Sequence, residues 1–281
     1  MKNALNSFIV FFILTFNCIY GHKAHAQTKL LPSDFRIFER TNAWELAKAI
    51  DKEDTNKIRR ILYSNKKLVN VVDPKFGQTL LGLAVIDQKF NSVKTLLELG
   101  ADPNAYDNYI GQSALMKTFS IEGSIPENDT NYLKLLLKYG GNPNLRSKHV
   151  DYGPEPMSTL SIACDANNLN ALRILIEAGA DFKSDWANIL YSALISRNPD
   201  IVILLLDKGI EFKKPMNIYH DGTKVYIANE LRDWTFDLGS EKYKKKMQIV
   251  DFLKQHGIDY RATKIPKKYY SLYSKEYLAR Y

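Results

Sequence analysis

Side chains that could do chemistry are few in this chain, and none has the spacing of a known catalytic or metal site. After residue 26 the chain holds three histidines, His149, His220 and His256, and a single cysteine, Cys164. It contains no His-Glu-x-x-His pair, no Gly-x-Ser-x-Gly elbow and no glycine-rich phosphate loop. The sequence therefore predicts no enzyme activity, no metal site and no cofactor.

The remaining polar pairs have simpler explanations. His149 lies two residues before Asp151, and His220 directly precedes Asp221, which is typical of solvated turns. Cys164 lies in an apolar helical stretch, where cysteine usually acts as a small buried hydrophobe. Because it is the one cysteine after residue 26, it has no partner for an internal disulfide in that part of the chain.

The chain that carries these histidines and the cysteine is built from sequence repeats. The phrase Gly-Ala-Asp-Pro-Asn at 100–104 returns as Gly-Gly-Asn-Pro-Asn at 140–144 and as Gly-Ala-Asp at 179–181. Self-similarity at a period of about 30 to 40 residues is typical of a stacked array. We expect the glycines to end helices in the left-handed conformation, and the Asp or Asn two residues later to begin a turn.

Each of these phrases ends a repeat unit, and the first helix of that unit begins with a recurring sequence motif. The clearest unit begins with Thr-Leu-Leu-Gly-Leu-Ala at 79–84, which resembles the Thr-Pro-Leu-His-x-Ala opening of the ankyrin repeat. The interval from opener to closing glycine is 21 residues in three units, Thr79 to Gly100, Ser158 to Gly179 and Asn188 to Gly209. It is 27 and 34 residues in two others, Ser113 to Gly140 and Thr223 to Gly257, which therefore carry insertions at 119–131 and 232–240.

The resemblance implies an all-α fold, an ankyrin-repeat solenoid with short β-hairpin finger loops. It covers residues 42–262 as about six repeats, after an N-terminal extension at 27–41 and before a basic, tyrosine-rich tail at 263–281. It also implies a protein that binds another protein. In an ankyrin stack the finger loops and the first helices line a concave face, where partner contacts concentrate.

Aromatic residues lie at or near the tips of five successive predicted fingers. They are Phe76, Tyr109, Tyr152, Trp186 and Tyr219. Exposed aromatics favour an interface hot spot, whereas aromatics packed on a neighbouring finger would only stiffen the array, and both interpretations stand. Trp234, in the insertion at 232–240, is a sixth candidate contact residue, with the alternative that this insertion covers the end of the stack.

The first 26 residues predict a cleavable signal peptide. Lys2 precedes an apolar run at 8–20, and the small residues Ala24 and Ala26 suit cleavage before Gln27. A nearly unbroken apolar run of thirteen residues is short for a membrane span, and an uncleaved anchor is the second interpretation. We therefore expect an exported protein, located in the periplasm of a bacterium.

Positive charge is concentrated towards the C-terminal end. Residues 241–281 hold eleven lysines and arginines against four acidic residues, a net charge of +7. Tyr269, Tyr273 and Tyr277 fall on one helical stripe, which favours a short helix that packs back on the last repeat. The alternatives are contact with an acidic partner or with an anionic membrane surface. An exported protein does not meet cellular nucleic acid, so the sequence predicts no nucleic-acid partner.

The sequence therefore predicts an exported, non-catalytic ankyrin-repeat protein that binds a protein partner. The leading specific hypothesis is an immunity protein that neutralises a secreted antibacterial effector or toxin, a role that the resemblance to exported bacterial ankyrin proteins implies. Two alternatives stand beside it. One is a periplasmic scaffold that supports an envelope or antioxidant enzyme, and the other is a membrane-surface binder that acts through the C-terminal tail.

Overall fold

Paired helices that follow one another along the chain form the body of the protein. The computed structural model describes residues 30–119, 129–148 and 156–281. The predicted signal peptide, Tyr152 and most of the insertion at 119–131 lie outside these residues. Residues 31–281 form one compact unit.

The part of the chain that the structure describes contains six helix pairs, each with an inner and an outer helix. The inner helices are α1 (Trp44–Asp51), α3 (Leu80–Ile86), α5 (Ala114–Lys117), α7 (Thr159–Asp165), α9 (Trp186–Ile195) and α11 (Ile227–Leu231). The outer helices are α2 (Thr55–Ser64), α4 (Phe90–Glu98), α6 (Asn131–Lys138), α8 (Leu169–Glu177), α10 (Pro199–Asp207) and α12 (Glu241–Gln255). Inner helices pack on neighbouring inner helices, and most outer helices on neighbouring outer ones. The predicted all-α solenoid is therefore confirmed.

Shorter elements connect and cover the pairs. They are the 3-10 helices Phe35–Phe38, Lys66–Asn70, Tyr260–Ala262 and Lys267–Ser271, the helix α13 (Lys275–Arg280), and an antiparallel hairpin of β1 (Asn217–Ile218) and β2 (Lys224–Val225). No helix in the described ranges is both long enough and apolar enough to cross a membrane.

The helix stop signals act at the five predicted glycines, and the start signals act at Thr79 and Ser158, whereas Ser113 precedes its helix without a side-chain cap bond. The side-chain oxygen of Thr79 accepts a hydrogen bond from the N–H of Gly82 at 2.9 Å, and that of Ser158 accepts one from Ser161 at 3.2 Å. These bonds cap the first turns of α3 and α7. Gly100 and the equivalent glycines at 140, 179, 209 and 257 have φ between 79° and 93°, as predicted. Glycine adopts this conformation without a steric penalty.

Two helix starts differ from the predicted register. Helix α9 begins at residue 186 instead of after Asn188, and α11 begins at residue 227 instead of after Thr223. In the last unit the β-hairpin occupies the residues around Thr223, so the helix cannot start there. It starts after Tyr226, whose main-chain N–H donates to the side-chain oxygen of Asn229 at 2.8 Å.

An asparagine side chain joins neighbouring units by two hydrogen bonds, a contact that we call the asparagine clamp. Asn104 donates its Nδ2 to the carbonyl of Gly140 at 2.9 Å and accepts from the N–H of Asn142 at 2.8 Å. Asn70 and Asn144 bond in the same way to the next unit. Their partners are Gly100 O at 3.4 Å and Asp102 N at 2.8 Å for Asn70, and Gly179 O at 3.2 Å and Asp181 N at 2.6 Å for Asn144.

The clamp explains why the sequence phrase recurs. The closing glycine and the residue two positions later supply the main-chain groups that the preceding unit's asparagine binds, so the phrase forms the joint between units. Lys183 occupies the position that corresponds to Asn144, four residues after the closing glycine. The series of clamps therefore ends between the fourth and fifth units.

The C-terminal segment covers the last unit. Four tyrosines of this segment, Tyr269, Tyr273, Tyr277 and Tyr281, each donate a hydroxyl hydrogen bond to the insertion at 232–240. The acceptors are, in the same order, Asp233 Oδ1 at 2.7 Å, Thr235 Oγ1 at 2.9 Å, Phe236 O at 2.8 Å and Arg232 O at 3.1 Å. The segment therefore packs back on the stack, as two short helices instead of one. We call residues 263–281 the cap.

A lysine is buried beneath the cap. Lys246 of α12 has no accessible surface, donates its Nζ to the carbonyl of Trp234 at 2.9 Å, and lies 4.4 Å from the ring centre of Tyr281. Burial, together with the guanidinium groups of Arg232 and Arg261, lowers the pKa of Lys246 to about 7. Above that pH the folded chain therefore binds fewer protons than the unfolded chain.

We expect Asn104→Ala to lower the free energy of unfolding by about 1–3 kcal/mol, because it removes both bonds of one clamp. Asn56→Ala, on the exposed surface of α2, is the matched control and should change this free energy by less than about 0.5 kcal/mol. Equilibrium urea unfolding followed by circular dichroism measures both. Equal effects of the two substitutions would show that the clamp does not stabilise the stack.

The buried lysine predicts a dependence of stability on pH. Between about pH 7.5 and 9.5 the unfolded chain keeps Lys246 protonated and the folded chain releases this proton, so we expect the free energy of unfolding to rise by about 1 kcal/mol per pH unit. Lys246→Met should abolish the rise, whereas Lys242→Met, an exposed change on the same helix, should preserve it. Urea titrations across this pH range measure the slope. An unchanged slope in Lys246→Met would contradict the assignment.

Candidate interaction surface

Three loops at successive unit boundaries are each closed by one β-bridge. The bridged pairs are Val72 with Thr79, Tyr106 with Ser113, and Arg146 with Ser158. Asp73 fixes the first loop by accepting three main-chain N–H bonds at 2.6 to 2.9 Å, and Asp107 fixes the second in the same way at 2.7 to 3.2 Å. We call the loops at 72–79, 106–113 and 146–158 fingers 1, 2 and 3, and together the finger platform.

The fingers are bonded to one another through their main chains. The N–H of Asn108 in finger 2 donates to the carbonyl of Phe76 in finger 1 at 2.8 Å, and the N–H of Lys148 in finger 3 donates to Gly111 of finger 2 at 2.8 Å. Gly111 has φ of +66°, and a Cβ there would lie 2.3 Å from the carbonyl oxygen of Lys148. Only glycine fits this approach, so the spacing of the fingers is fixed.

Two of the predicted contact aromatics meet across fingers 1 and 2. The rings of Phe76 and Tyr109 are 5.7 Å apart and nearly perpendicular, at 81°, a favourable edge-to-face arrangement. Phe76 is half-buried, whereas Tyr109 keeps 41 % of its surface exposed. The pair therefore stiffens the platform and also offers a tyrosine to a partner. Its role in partner binding stays a prediction.

A buried ion pair supports finger 2 from below. The Nζ of Lys117, at the end of α5, lies 2.7 Å from Oδ2 of Asp107, and both side chains are almost wholly buried. The aliphatic stem of Lys117 passes Gly82, where a Cβ would lie 3.1 Å from the Cε of the lysine. Sequence analysis missed this pair. The available signal was Gly82, which replaces the histidine of the repeat motif and leaves room for the lysine.

Trp186 is not at a finger tip, contrary to the sequence prediction. It is the first residue of α9, and it is half-buried. The connection before it runs from Ala180 to Asp185 without a hairpin, because Asp185 is held at the helix start by an ion pair with Arg146 at 2.7 Å and a bond from Asn188 at 2.7 Å. The row of fingers is thus interrupted between the fourth and fifth units.

The hairpin at 217–225 resumes the row beyond this interruption. Strands β1 and β2 pair Asn217 with Val225, and Tyr219 in the connecting turn accepts and donates main-chain bonds that close it. Tyr219 is 51 % exposed and the adjacent Ile218 is 57 % exposed. Both side chains are accessible, and Tyr219 remains a candidate contact residue.

Trp234 is buried, so the prediction that it contacts a partner is wrong. Its side chain is 1 % exposed, its Nε1 donates to the carbonyl of Leu194 at 2.8 Å, and its ring packs on Phe236. The insertion that carries it lies under the cap, so Trp234 joins the last unit to the fifth instead of meeting a partner. Tyr152 of finger 3 lies outside the described residues.

The thiol of Cys164 and the His, Asp and Glu side chains are the groups with potential reactivity in the described part of the chain. Cys164 is buried, and burial raises the pKa of its thiol, which suits the predicted role as a small hydrophobe. No cluster of three or more His, Cys, Asp or Glu side chains able to hold a metal occurs in the ranges that the structure covers.

Accessible charge on fingers 1 and 2 is positive. Lys75 is exposed and lies 4.8 Å from the ring centre of Phe76, while the carboxylates of Asp73 and Asp107 are buried and bound within their loops. Lys148 of finger 3 is also exposed and lies 4.4 Å from the ring of Tyr106. The described platform thus combines aromatic rings with cations at its surface.

Comparison with known proteins agrees with this architecture. A family model described as "Ankyrin repeats (3 copies)" matches residues 121–216, and one described as "Ankyrin repeat" matches residues 76–108. The solved ankyrin repeat domain of Bcl-3, a member of the IkappaB protein family, superposes with a TM-score of 0.52 at 21 % identity, covering 76 % of this chain and 86 % of that one. The chain therefore carries ankyrin repeats and has the ankyrin-repeat fold.

Two curated relatives match shorter stretches. A putative ankyrin repeat protein of Acanthamoeba polyphaga mimivirus is 31 % identical over 120 residues, which are 43 % of this chain and 23 % of that protein. Protein PhlB of Serratia liquefaciens is 37 % identical over 103 residues, 37 % of this chain and 40 % of its own. The chain thus spans less than half the length of these relatives. Ankyrin repeats imply protein–protein binding, and their fold is typical of non-catalytic scaffolds.

We expect Lys117→Met to lower the free energy of unfolding by about 3–5 kcal/mol, because it leaves the carboxylate of Asp107 buried without its counter-ion. Lys138→Met, an exposed change at the end of α6, should cost less than about 0.5 kcal/mol. Urea unfolding measures both, and hydrogen exchange of the finger 2 amides should accelerate only in Lys117→Met. A loss equal to that of the control would show that the ion pair does not hold the finger.

Proposed function

We propose that this protein is exported and binds a protein partner through the finger platform and the hairpin at 217–225. The observation that carries the proposal is the exposed Tyr109 on a finger whose backbone is bonded to both of its neighbours. Tyrosines supply a large contact area at low entropic cost, and they dominate many interfaces. A loop that is already ordered also loses less entropy when a partner binds.

The sequence supports export to the periplasm. Residues 1–26 have the charge, apolar run and cleavage site of a signal peptide. Similarity to Protein PhlB of Serratia liquefaciens is in keeping with a bacterial source.

We further propose that the chain is an immunity protein that neutralises a secreted antibacterial effector. An ordered platform with aromatic and cationic side chains suits a tight inhibitor, because affinity in such complexes rests on prepared surfaces. A scaffold that supports an envelope or antioxidant enzyme would use the same surface, but would leave the activity of its partner intact or increase it.

Affinity capture from the envelope fraction with residues 27–281 as bait tests the proposal. Immunity requires that a secreted effector is recovered, that the purified chain inhibits it, and that cells are protected only when the chain carries residues 1–26. Recovery of an enzyme whose activity is preserved would support the scaffold instead. If no protein partner is captured, or if protection does not need residues 1–26, the immunity proposal fails.

We expect Tyr109→Ala and Tyr219→Ala each to weaken partner binding by about tenfold or more, because each removes an exposed aromatic contact. The matched control is Tyr63→Ala, which removes a 75 % exposed tyrosine from the outer helix α2. Isothermal titration with the captured partner measures affinity, and thermal melts confirm that all variants are folded. Similar affinities for the three variants would place the contact surface elsewhere.

A further inference from the structure

Large side chains of the cap form an inward-facing and an outward-facing set. Tyr269, Tyr273, Tyr277 and Tyr281 face inward and are bonded through their hydroxyls, as described above. By contrast, Tyr270 and Leu272 face solvent, with 63 % and 61 % of their surfaces exposed. The inward set fixes the backbone, so the outward pair is held at the surface with most of its side-chain area exposed.

Local geometry places a lysine beside the exposed pair. Residues 267–271 form a 3-10 helix, in which side chains three positions apart eclipse each other. Lys267 and Tyr270 therefore lie on one face of this helix, while Tyr269 is buried on another. Leu272 follows directly, with its N–H bonded to the carbonyl of Tyr269 at 3.1 Å.

Cations without carboxylate partners surround this pair along the chain. Lys264, Lys267 and Lys275 are exposed, and none of them forms an ion pair with another residue in the described ranges. Lys268 differs, since its Nζ lies 2.8 Å from Asp233. The unpaired lysines leave the segment strongly positive, in line with the net charge of +7 for residues 241–281.

We propose that this cap surface, formed by Lys264, Lys267, Tyr270, Leu272 and Lys275, binds an anionic lipid bilayer. The lysines attract the anionic headgroups, and Tyr270 and Leu272 enter the interfacial layer, where tyrosine is favoured and leucine contacts the acyl chains. Two largely exposed side chains, Tyr270 and Leu272, with exposed cations before and after them in the chain, suit the headgroup and acyl layers of a fluid surface.

This inference is independent of the proposed partner binding. The cap packs on the sixth unit, whereas the finger platform belongs to the boundaries of the second to fourth units. A protein that uses both surfaces would hold its partner at a membrane. Failure of either interaction would leave the other intact, so their tests are separate.

Vesicle sedimentation of residues 27–281 tests the cap surface. We expect binding to vesicles of phosphatidylcholine with phosphatidylglycerol at low salt, release at high salt, and no binding to phosphatidylcholine alone. Because one lysine near an anionic surface contributes about fivefold in partitioning, Lys264→Gln, Lys267→Gln and Lys275→Gln together should reduce it on the order of 100-fold. Tyr270→Ser with Leu272→Ser should reduce it about tenfold or more.

The matched control uses the same chemistry at the other end of the stack. Tyr63→Ser with Lys66→Gln and Lys67→Gln removes an exposed tyrosine and two exposed lysines, and should leave partitioning unchanged. A Tyr270→Trp variant gives a second readout, since its added fluorescence should shift to shorter wavelength only with anionic vesicles. Melting curves for each variant show that the cap remains folded.

Several outcomes would overturn the inference. It fails if the chain does not bind anionic vesicles at low salt, or if it binds neutral vesicles equally well. It also fails if the control variant loses as much binding as the cap variants, or if the Tyr270→Trp emission does not shift. Capture of an acidic protein through the same lysines, without vesicle binding, would assign the surface to a protein.

Discussion

The asparagine clamp is the constraint on which the rest of the array depends. A helix pair of this length buries only part of its apolar surface, and it is stable because another pair stacks on it. Asn104 sets the separation and tilt of two pairs by holding both a carbonyl and an N–H of the next unit. The next bond along this joint runs from the N–H of Lys148 in finger 3 to the carbonyl of Gly111 in finger 2, so the finger platform continues the joint beneath it. Where Lys183 replaces the clamp residue, the finger is missing as well.

Charge is used in two different ways inside this fold. The buried pair of Lys117 and Asp107 holds a loop in a single conformation, and its two charges compensate each other. Lys246 has no such counter-ion among the described residues, and instead loses its proton near neutral pH. The ion pair keeps the conformation of finger 2 constant. The unpaired Lys246, by contrast, makes the stability of the covered last unit depend on pH. The exposed lysines of the surface take part in neither arrangement, so they remain available for contacts.

The sequence predicts those features that local chemistry determines. The closing glycines, the caps at Thr79 and Ser158 and the stacking of helix pairs all follow from residue types at fixed intervals. The predictions that Trp186 lies at a finger tip and that Trp234 contacts a partner are wrong. They assume that every unit carries a hairpin and that the insertion in the last unit is exposed. Contacts from distant residues decide both cases: Arg146 holds Asp185 ahead of α9, and the cap tyrosines cover the segment around Trp234. The tyrosine stripe predicts that the C-terminal segment packs back on the last repeat, but it does not identify Trp234 as the residue covered, and no local pattern pairs Arg146 with Asp185.

The hydroxyl bonds of the cap have a consequence for the order in which the protein assembles. Most clamps join residues about 30 to 40 positions apart, so each unit can dock as soon as the next has been synthesised. The bond from Tyr281 to Arg232 spans 49 positions, and the carbonyl partner of Lys246 belongs to the same insertion. Because residues 269–281 cover Lys246 and Trp234, we expect the sixth unit to become stable only after these residues have been synthesised. Among the contacts described, those of the cap are therefore expected to form last.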